Sequence, residues 1–205
     1  MRDTVRPTDS HFDFTAALSV LGKGGILLFP GDAHWCVGGD ATDAAVARRL
    51  RSQGLVPTEG PLTLLVGSVG QLKEYQPDLH PRIETLLLYH RRPLTLSFTE
   101  SRRLPPEVAG PDGAVWMQLA LDPYCRGLLS RWGKPLVALP AHMPGTTVPA
   151  HFGEISSAVL ELADHVVPYR QLERQSGVPP AVARLSEADE LVFLPVQNTN
   201  QTWSD

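Results

Sequence analysis

At 205 residues, 42% hydrophobic and 20% charged, the chain is long enough to bury a core and too apolar to remain disordered. Its net charge of -4 excludes a general electrostatic pull toward nucleic acid, so any RNA contact needs a local basic face. Cys36 and Cys125 are too few for a disulfide framework, no run approaches the roughly 20 apolar residues of a membrane span, and residues 1–10 lack a signal peptide's apolar stretch; the expected location is the cytoplasm.

The first helix is expected over residues 13–21, where Phe14, Ala17, Leu18 and Leu21 share a face. Ser10 or Asp13 supplies its cap and Gly22 its stop. Residues 25–30, Gly-Ile-Leu-Leu-Phe-Pro, then read as a short strand buried on both faces. The loop after it, 31–36, lies at a strand end, where α/β proteins place ligands. A second helix begins in 41–48, capped by Thr42 or Asp43 and ending near Arg51. Arg48, Arg49 and Arg51 on it are the densest basic cluster and the candidate RNA-binding residues.

Residues 61–66 read as the next core strand, followed by helices at Val69–Tyr75 and Pro81–Tyr89. Strands are expected at Leu94–Phe98, 114–119 and 136–139, with a helix at Pro123–Trp132 carrying Tyr124, Leu128, Leu129 and Trp132 on one stripe. Ile155, Val159 and Leu162 mark a late helix, and 165–167, 181–185 and 191–195 late strands. The 19 prolines and 17 glycines fall mostly between these runs, so loops such as 140–149 and 177–180 are shaped by turns. Without repeats or a low-complexity linker, the chain reads as one α/β domain, with a core over about 14–195 and a tail over 196–205.

Generic chemistry motifs are absent. Gly22-Lys-Gly-Gly25 closes a helix and enters a strand, the reverse of a phosphate loop. Gly67-Ser-Val-Gly70 has the wrong spacing for a nucleophile elbow. No paired cysteines or His-Glu-x-x-His pattern suggests a standard metal site, and none is assigned.

A family resemblance comes from eight segments in order. These are Gly24-Gly-Ile-Leu-Leu-Phe-Pro-Gly-Asp32, Gly39-Asp-Ala-Thr42, Pro61-Leu-Thr-Leu-Leu-Val66 and Arg92-Pro-Leu-Thr95. Pro123-Tyr-Cys-Arg126, Gly133-Lys-Pro-Leu-Val-Ala138, Gly153-Glu-Ile-Ser156 and Gly177-Val-Pro179 complete the set. Together they resemble the YrdC-like family, the threonylcarbamoyl-adenylate synthases of tRNA modification. The resemblance implies a single-domain twisted, mixed α/β sheet with flanking helices, a fold similar to that of dihydroxybutanone-phosphate synthase, with a pocket on the concave side. It also implies ATP with magnesium, threonine and bicarbonate as family ligands, and tRNA or double-stranded RNA as partners of a translation-associated factor. The pocket residues it points to are Gly31, Asp32, His34, Trp35, Cys36, Pro61, Thr63, Thr95, Gln118, Ala141 and His142.

The departures fall where that family does its chemistry. The lysine and arginine that precede its Pro-Leu strand are absent from residues 52–57, and Gln118 stands for an arginine. Gly31 and Ala33 replace two threonines, Pro140-Ala141-His142 a Ser-Ala-Asn triplet, and Pro180-Ala181 a Ser-Thr pair. Adenylyl transfer depends on electrostatic stabilisation, at roughly 3 kcal/mol per cation, so tight ATP binding is not expected unless Lys134 or Arg126 compensates. Three functions remain open: a divergent family member still tied to nucleotide or RNA, an enzyme of changed specificity, and a catalytically dead interaction module. In the second, an extended loop turns Asp32, His34 and Cys36 to one face opposite His142, as a metal site or a base beside a thiol. Alternatively His34 and Trp35 fill space and Cys36 is a small buried hydrophobe. Gln118 either bonds a neutral ligand or satisfies groups behind the pocket.

Overall fold

The computed structural model describes residues 12–55, 60–176, 178–186 and 188–194. The expected Ser10 cap, the glycine of Gly177-Val-Pro179, Pro195, the tail, and part of the 52–57 segment lie outside them. The described chain runs α1 (Thr15–Leu21), β1 (Leu27–Pro30), β2 (Trp35–Gly38), α2 (Ala44–Ser52), β3 (Thr63–Val66), α3 (Val69–Tyr75), α4 (Pro81–Tyr89), β4 (Leu94–Phe98) and β5 (Val115–Leu119). It continues through α5 (Pro123–Trp132), β6 (Leu136–Val137), β7 (Leu139–Pro140), α6 (Ser157–Leu160), β8 (His165–Val166), β9 (Ala181–Leu185) and β10 (Leu191–Leu194).

Local chemistry sets the helix starts. Asp43 accepts from the Ala45 amide at α2, Ser68 from Gln71 at α3, and Asp122 from Cys125 at α5, each relieving an orphan amide. At α1 the Asp13 carboxylate takes the Thr15 amide, although Phe14 occupies the cap position. Gly22 does not make the left-handed stop there; it stays right-handed, and Gly24, at φ +70°, turns the chain into β1.

The mixed α/β architecture is as expected, and its strands form two sheets. Four strands run β7-β2-β1-β8 and six run β10-β9-β4-β5-β3-β6. Both sheets combine parallel pairs (β1 with β8, β3 with β5, β4 with β9) with antiparallel ones, so both are mixed. The segment expected as one strand over 136–139 is divided. Leu136–Val137 pairs with β3, whereas Leu139–Pro140 pairs with β2, so this short stretch passes between the sheets. The crossing is close: a Cβ on Gly38 would lie 1.6 Å from the Val137 carbonyl oxygen.

The anticipated 31–36 loop is also shorter. Only 31–34 turn; Trp35 and Cys36 already belong to β2, antiparallel to β1 with Phe29 opposite Cys36. Two-residue alternation then sorts the hairpin between two cores. Ile26, Leu28, Trp35 and Val37 enter a large core with α2, α3 and α4. Leu27, Phe29 and Cys36 enter a smaller one with Tyr124, Leu128 and Leu129 of α5. Among the described residues no helix is long and apolar enough to cross a membrane.

Candidate functional site

One face of the six-stranded sheet is built into the large core by Leu64, Val66, Leu94, Leu96, Val115, Met117 and Ala183. Alternation puts the intervening residues on the opposite face. Register aligns them in two rows: Leu65, Gln118, Thr95 and Val182, then Thr63, Trp116, Ser97 and Arg184. The first row is buried, whereas Thr63, Trp116 and Ser97 are half-buried and Arg184 is exposed. The sheet is therefore open at the second row.

The 31–34 turn closes over the first row, held by the Gly31 amide donating to the His34 carbonyl at 2.9 Å. Its carboxylate, Asp32, is well tethered. Gln118 Nε2 donates to Oδ2 at 3.0 Å, the Asp122 amide to Oδ1 at 2.7 Å, and the Leu121 amide to both oxygens at 3.0 and 3.1 Å. Gln118 Oε1 in turn accepts from Thr95 Oγ1 at 3.3 Å. This fixes the glutamine amide with its nitrogen toward the carboxylate, so Gln118 satisfies groups around the loop.

Behind Asp32, Asp122 adds a second carboxylate, whose pKa burial pushes up and Arg170 partly restrains. Arg170 Nη1 donates to Asp122 Oδ2 at 3.0 Å and its Nε to Glu173 Oε2 at 2.7 Å. Arg170 is also left-handed, at φ 56°, a conformation costly for a residue with a Cβ.

His34 and Cys36 do not join Asp32 on one chemical face. Burial and the neighbouring His142 imidazole push His34 down to about 4, so its ring is neutral at pH 7. His142 Nδ1 lies 3.0 Å from the Met143 carbonyl oxygen, which fixes that ring. The Cys36 thiol points into the small core and donates to the His34 carbonyl at 3.6 Å. Burial, with the Asp32 charge, raises its pKa above the usual thiol range; burial does the same at Cys125, whose thiol donates to the Pro30 carbonyl at 3.1 Å. Both are thiols, not thiolates, at neutral pH. Among the described residues no three His, Cys, Asp or Glu side chains are grouped to hold a metal ion.

Trp35 is fully buried against Phe152, ring centroids 5.1 Å apart, and accepts the Ala141 amide on its carbonyl. Its large ring therefore fills space in the core. Pro61 borders a cavity of about 980 Å³ at the open end of the sheet, near Ser97, Trp116 and Arg184. Of the expected pocket residues, Pro61 alone is in the lining of this cavity; Thr63 stands in the half-buried second row opposite Trp116, and the others lie in the first row, around the 31–34 turn and β2, or in the segment after β7. The cavity lining carries Arg102 and Arg184 against Asp78, Glu100 and Asp112.

The three arginines of α2 have intramolecular partners. Arg48 pairs with Glu107, and Arg49 makes a two-pronged contact with Asp164 at 2.7 and 3.2 Å. Arg51 donates to the Glu107 and Ala109 carbonyls at 2.6 and 3.0 Å. They anchor α2 to the segments around 107 and 164. Lys134 is held by buried Asp40 at 2.7 Å.

Sequence reasoning missed Asp122, Arg170, Trp116, Ser97 and Arg184. An Asp-Pro pair opening a helix signals the first. Stepping by two from Gln118 and Thr95 reaches Trp116 and Ser97. Nothing local signals Arg170.

A family model for Sua5, YciO and YrdC, described as telomere recombination, matches residues 19–194. A threonylcarbamoyl-AMP synthase of Xanthomonas euvesicatoria pv. vesicatoria is 27% identical over 158 residues, covering 76% of this chain and 84% of that protein. One from Pseudoalteromonas translucida is 24% identical over 155 residues, covering 74% and 83%. Among solved structures, P. abyssi Sua5 complexed with L-threonine aligns with a TM-score of 0.77 at 20% identity, over 87% of this chain and 52% of that one. This chain thus spans about half the length of that protein. E. coli YciO aligns with a TM-score of 0.72 at 18% identity, over 87% and 86%. Both structural likenesses speak to the fold.

Proposed function

Because this chain belongs to the Sua5/YciO/YrdC family, we propose that it is a divergent relative of the threonylcarbamoyl-AMP synthases that keeps the pocket wall and has lost or altered the adenylate chemistry. Its ligand remains one related to nucleotide or RNA metabolism. The observation that carries this reading is Gln118, where the family resemblance places an arginine. Its amide is engaged by Asp32 and Thr95, and the Asp32 carboxylate is closed by the Leu121 and Asp122 amides. A neutral amide cannot neutralise phosphate charge as a guanidinium does.

Two nearby cations support the same conclusion. Lys134 and Arg170 neutralise Asp40 and Asp122. At the open end, two arginines face three carboxylates, a poor setting for a triphosphate and its magnesium. The residues present do not fit that ligand, and no step is assigned to it. A cysteine-based enzyme is disfavoured by the raised pKa of both thiols. The α2 arginines would have to exchange carboxylate and carbonyl partners for phosphates before they could hold RNA.

The test is direct. Protein incubated with ATP, threonine and bicarbonate should release no pyrophosphate above background and give no threonylcarbamoyl-AMP by mass spectrometry. Turnover to that adenylate would overturn the proposal.

A further inference from the structure

Between β8 and β9, residues 169–176 run from the start of α5 to the 31–34 turn without joining either sheet. They are held at both ends. At the first, the Tyr169 ring stacks on Tyr124 of α5, centroids 5.4 Å apart, and Arg170 Nη1 donates to Asp122 Oδ2 at 3.0 Å. At the second, the Gln175 backbone amide donates to the Ala150 carbonyl at 2.7 Å, and Ser176 Oγ to the Ala33 carbonyl at 3.5 Å. Leu172, Glu173 and Arg174 between them are exposed.

Of these contacts, the one made by Arg170 is charged and reaches a buried group. The Asp122 side chain is 3% exposed and both its oxygens are committed, Oδ1 to the Cys125 amide at 3.1 Å and Oδ2 to Arg170. Without Arg170 a buried carboxylate oxygen loses its partner, so water has to enter when the segment lifts. Asp122 also carries the turn, because its backbone amide donates to Asp32 Oδ1 at 2.7 Å. Two features oppose the closed arrangement. Arg170 is left-handed at φ 56°, and the buried Gln175 side chain has no hydrogen-bond partner at either end among the described residues. The segment is held down against local strain.

We propose that residues 169–176 form a strap that closes over the 31–34 turn, with Arg170 as its latch on Asp122. Releasing the latch frees the strap and loosens the turn together, and with the turn the cover over Gln118 and Thr95. Arg170 is a positioning residue in this device, acting on Asp32 through Asp122. The inference goes beyond the proposed function, since the strap is in place whatever the pocket holds.

Native-state amide hydrogen exchange of the full chain tests it without any ligand, with Arg170→Gly and Asp122→Asn as variants. Glycine adopts the left-handed backbone without a Cβ penalty, and asparagine keeps the cap on Cys125 while losing the charge. In both variants the strap amides of Glu173 and Gln175 should exchange at least about 10-fold faster, after correction for intrinsic rates. The turn network, read at the amides of Gly31, Leu121 and position 122, should accelerate with them. The amides of α4 should keep their parent rates. Acceleration in only one variant overturns the latch, and acceleration of the strap without the turn overturns the coupling. Equal acceleration in α4, or none anywhere, overturns the proposal as a whole.

Discussion

At the residue scale, the site is governed by how each polar group near the 31–34 turn is satisfied. Asp32 is surrounded by donors, whereas His34 is half-buried beside a second imidazole. The fold therefore holds His34 neutral, with a pKa near 4 against 6.5 for an ordinary histidine. The unfolded chain binds this proton at a higher pH than the folded one. The stabilisation from keeping His34 neutral is thus full above about pH 6.5 and is lost as pH falls toward 4. On the order of 1–3 kcal/mol should disappear across that window. Urea midpoints measured from pH 7 to pH 4 should fall less steeply for His34→Gln than for the parent; identical slopes would show that His34 is readily protonated in the folded state. These environments were only partly legible in the sequence. Asp32, Gln118 and Thr95 were recognisable as one set by resemblance, but their hydrogen bonds join residues 86 and 23 positions apart. Cys36 was ambiguous because a thiol in a turn and a thiol in a core are written with the same letter.

At the element scale, helices were legible because their signals are local. Asp43, Ser68 and Asp122 cap α2, α3 and α5, and an apolar stripe follows each. The β2 strand was hidden because Trp-Cys-Val-Gly runs into further glycine and looks like loop. Its ending is nevertheless structural. Gly38 faces the backbone of Val137, where the 136–140 segment leaves one sheet for the other, and only a missing Cβ permits the approach. Gly38→Ala should lower stability by at least about 3 kcal/mol, since backbone cannot yield as a side chain does. Gly70→Ala is the matched control. Its Cβ meets nothing closer than 3.6 Å within α3, so it should raise stability by up to about 1 kcal/mol. A Gly38→Ala midpoint indistinguishable from the parent would show that the sheets are joined more loosely.

At the scale of the whole molecule, the fold is shared with proteins at 18% and 20% identity, so its determinants are hydrophobic pattern and turn placement rather than particular side chains. That is why the fold was readable along most of the chain. The division into two sheets was not, because it depends on a two-residue exchange of partners after Val137. Chemistry follows another rule: it requires specific charges at specific places, and on the function proposed above the family's cations are replaced here. On the proposed function the family pocket no longer holds a nucleoside triphosphate. Calorimetric titration of the protein with ATP and magnesium, with and without threonine, tests it most directly. A Kd no tighter than about 1 mM is expected in either case. A Kd in the micromolar range, or one tightened by threonine, would contradict it.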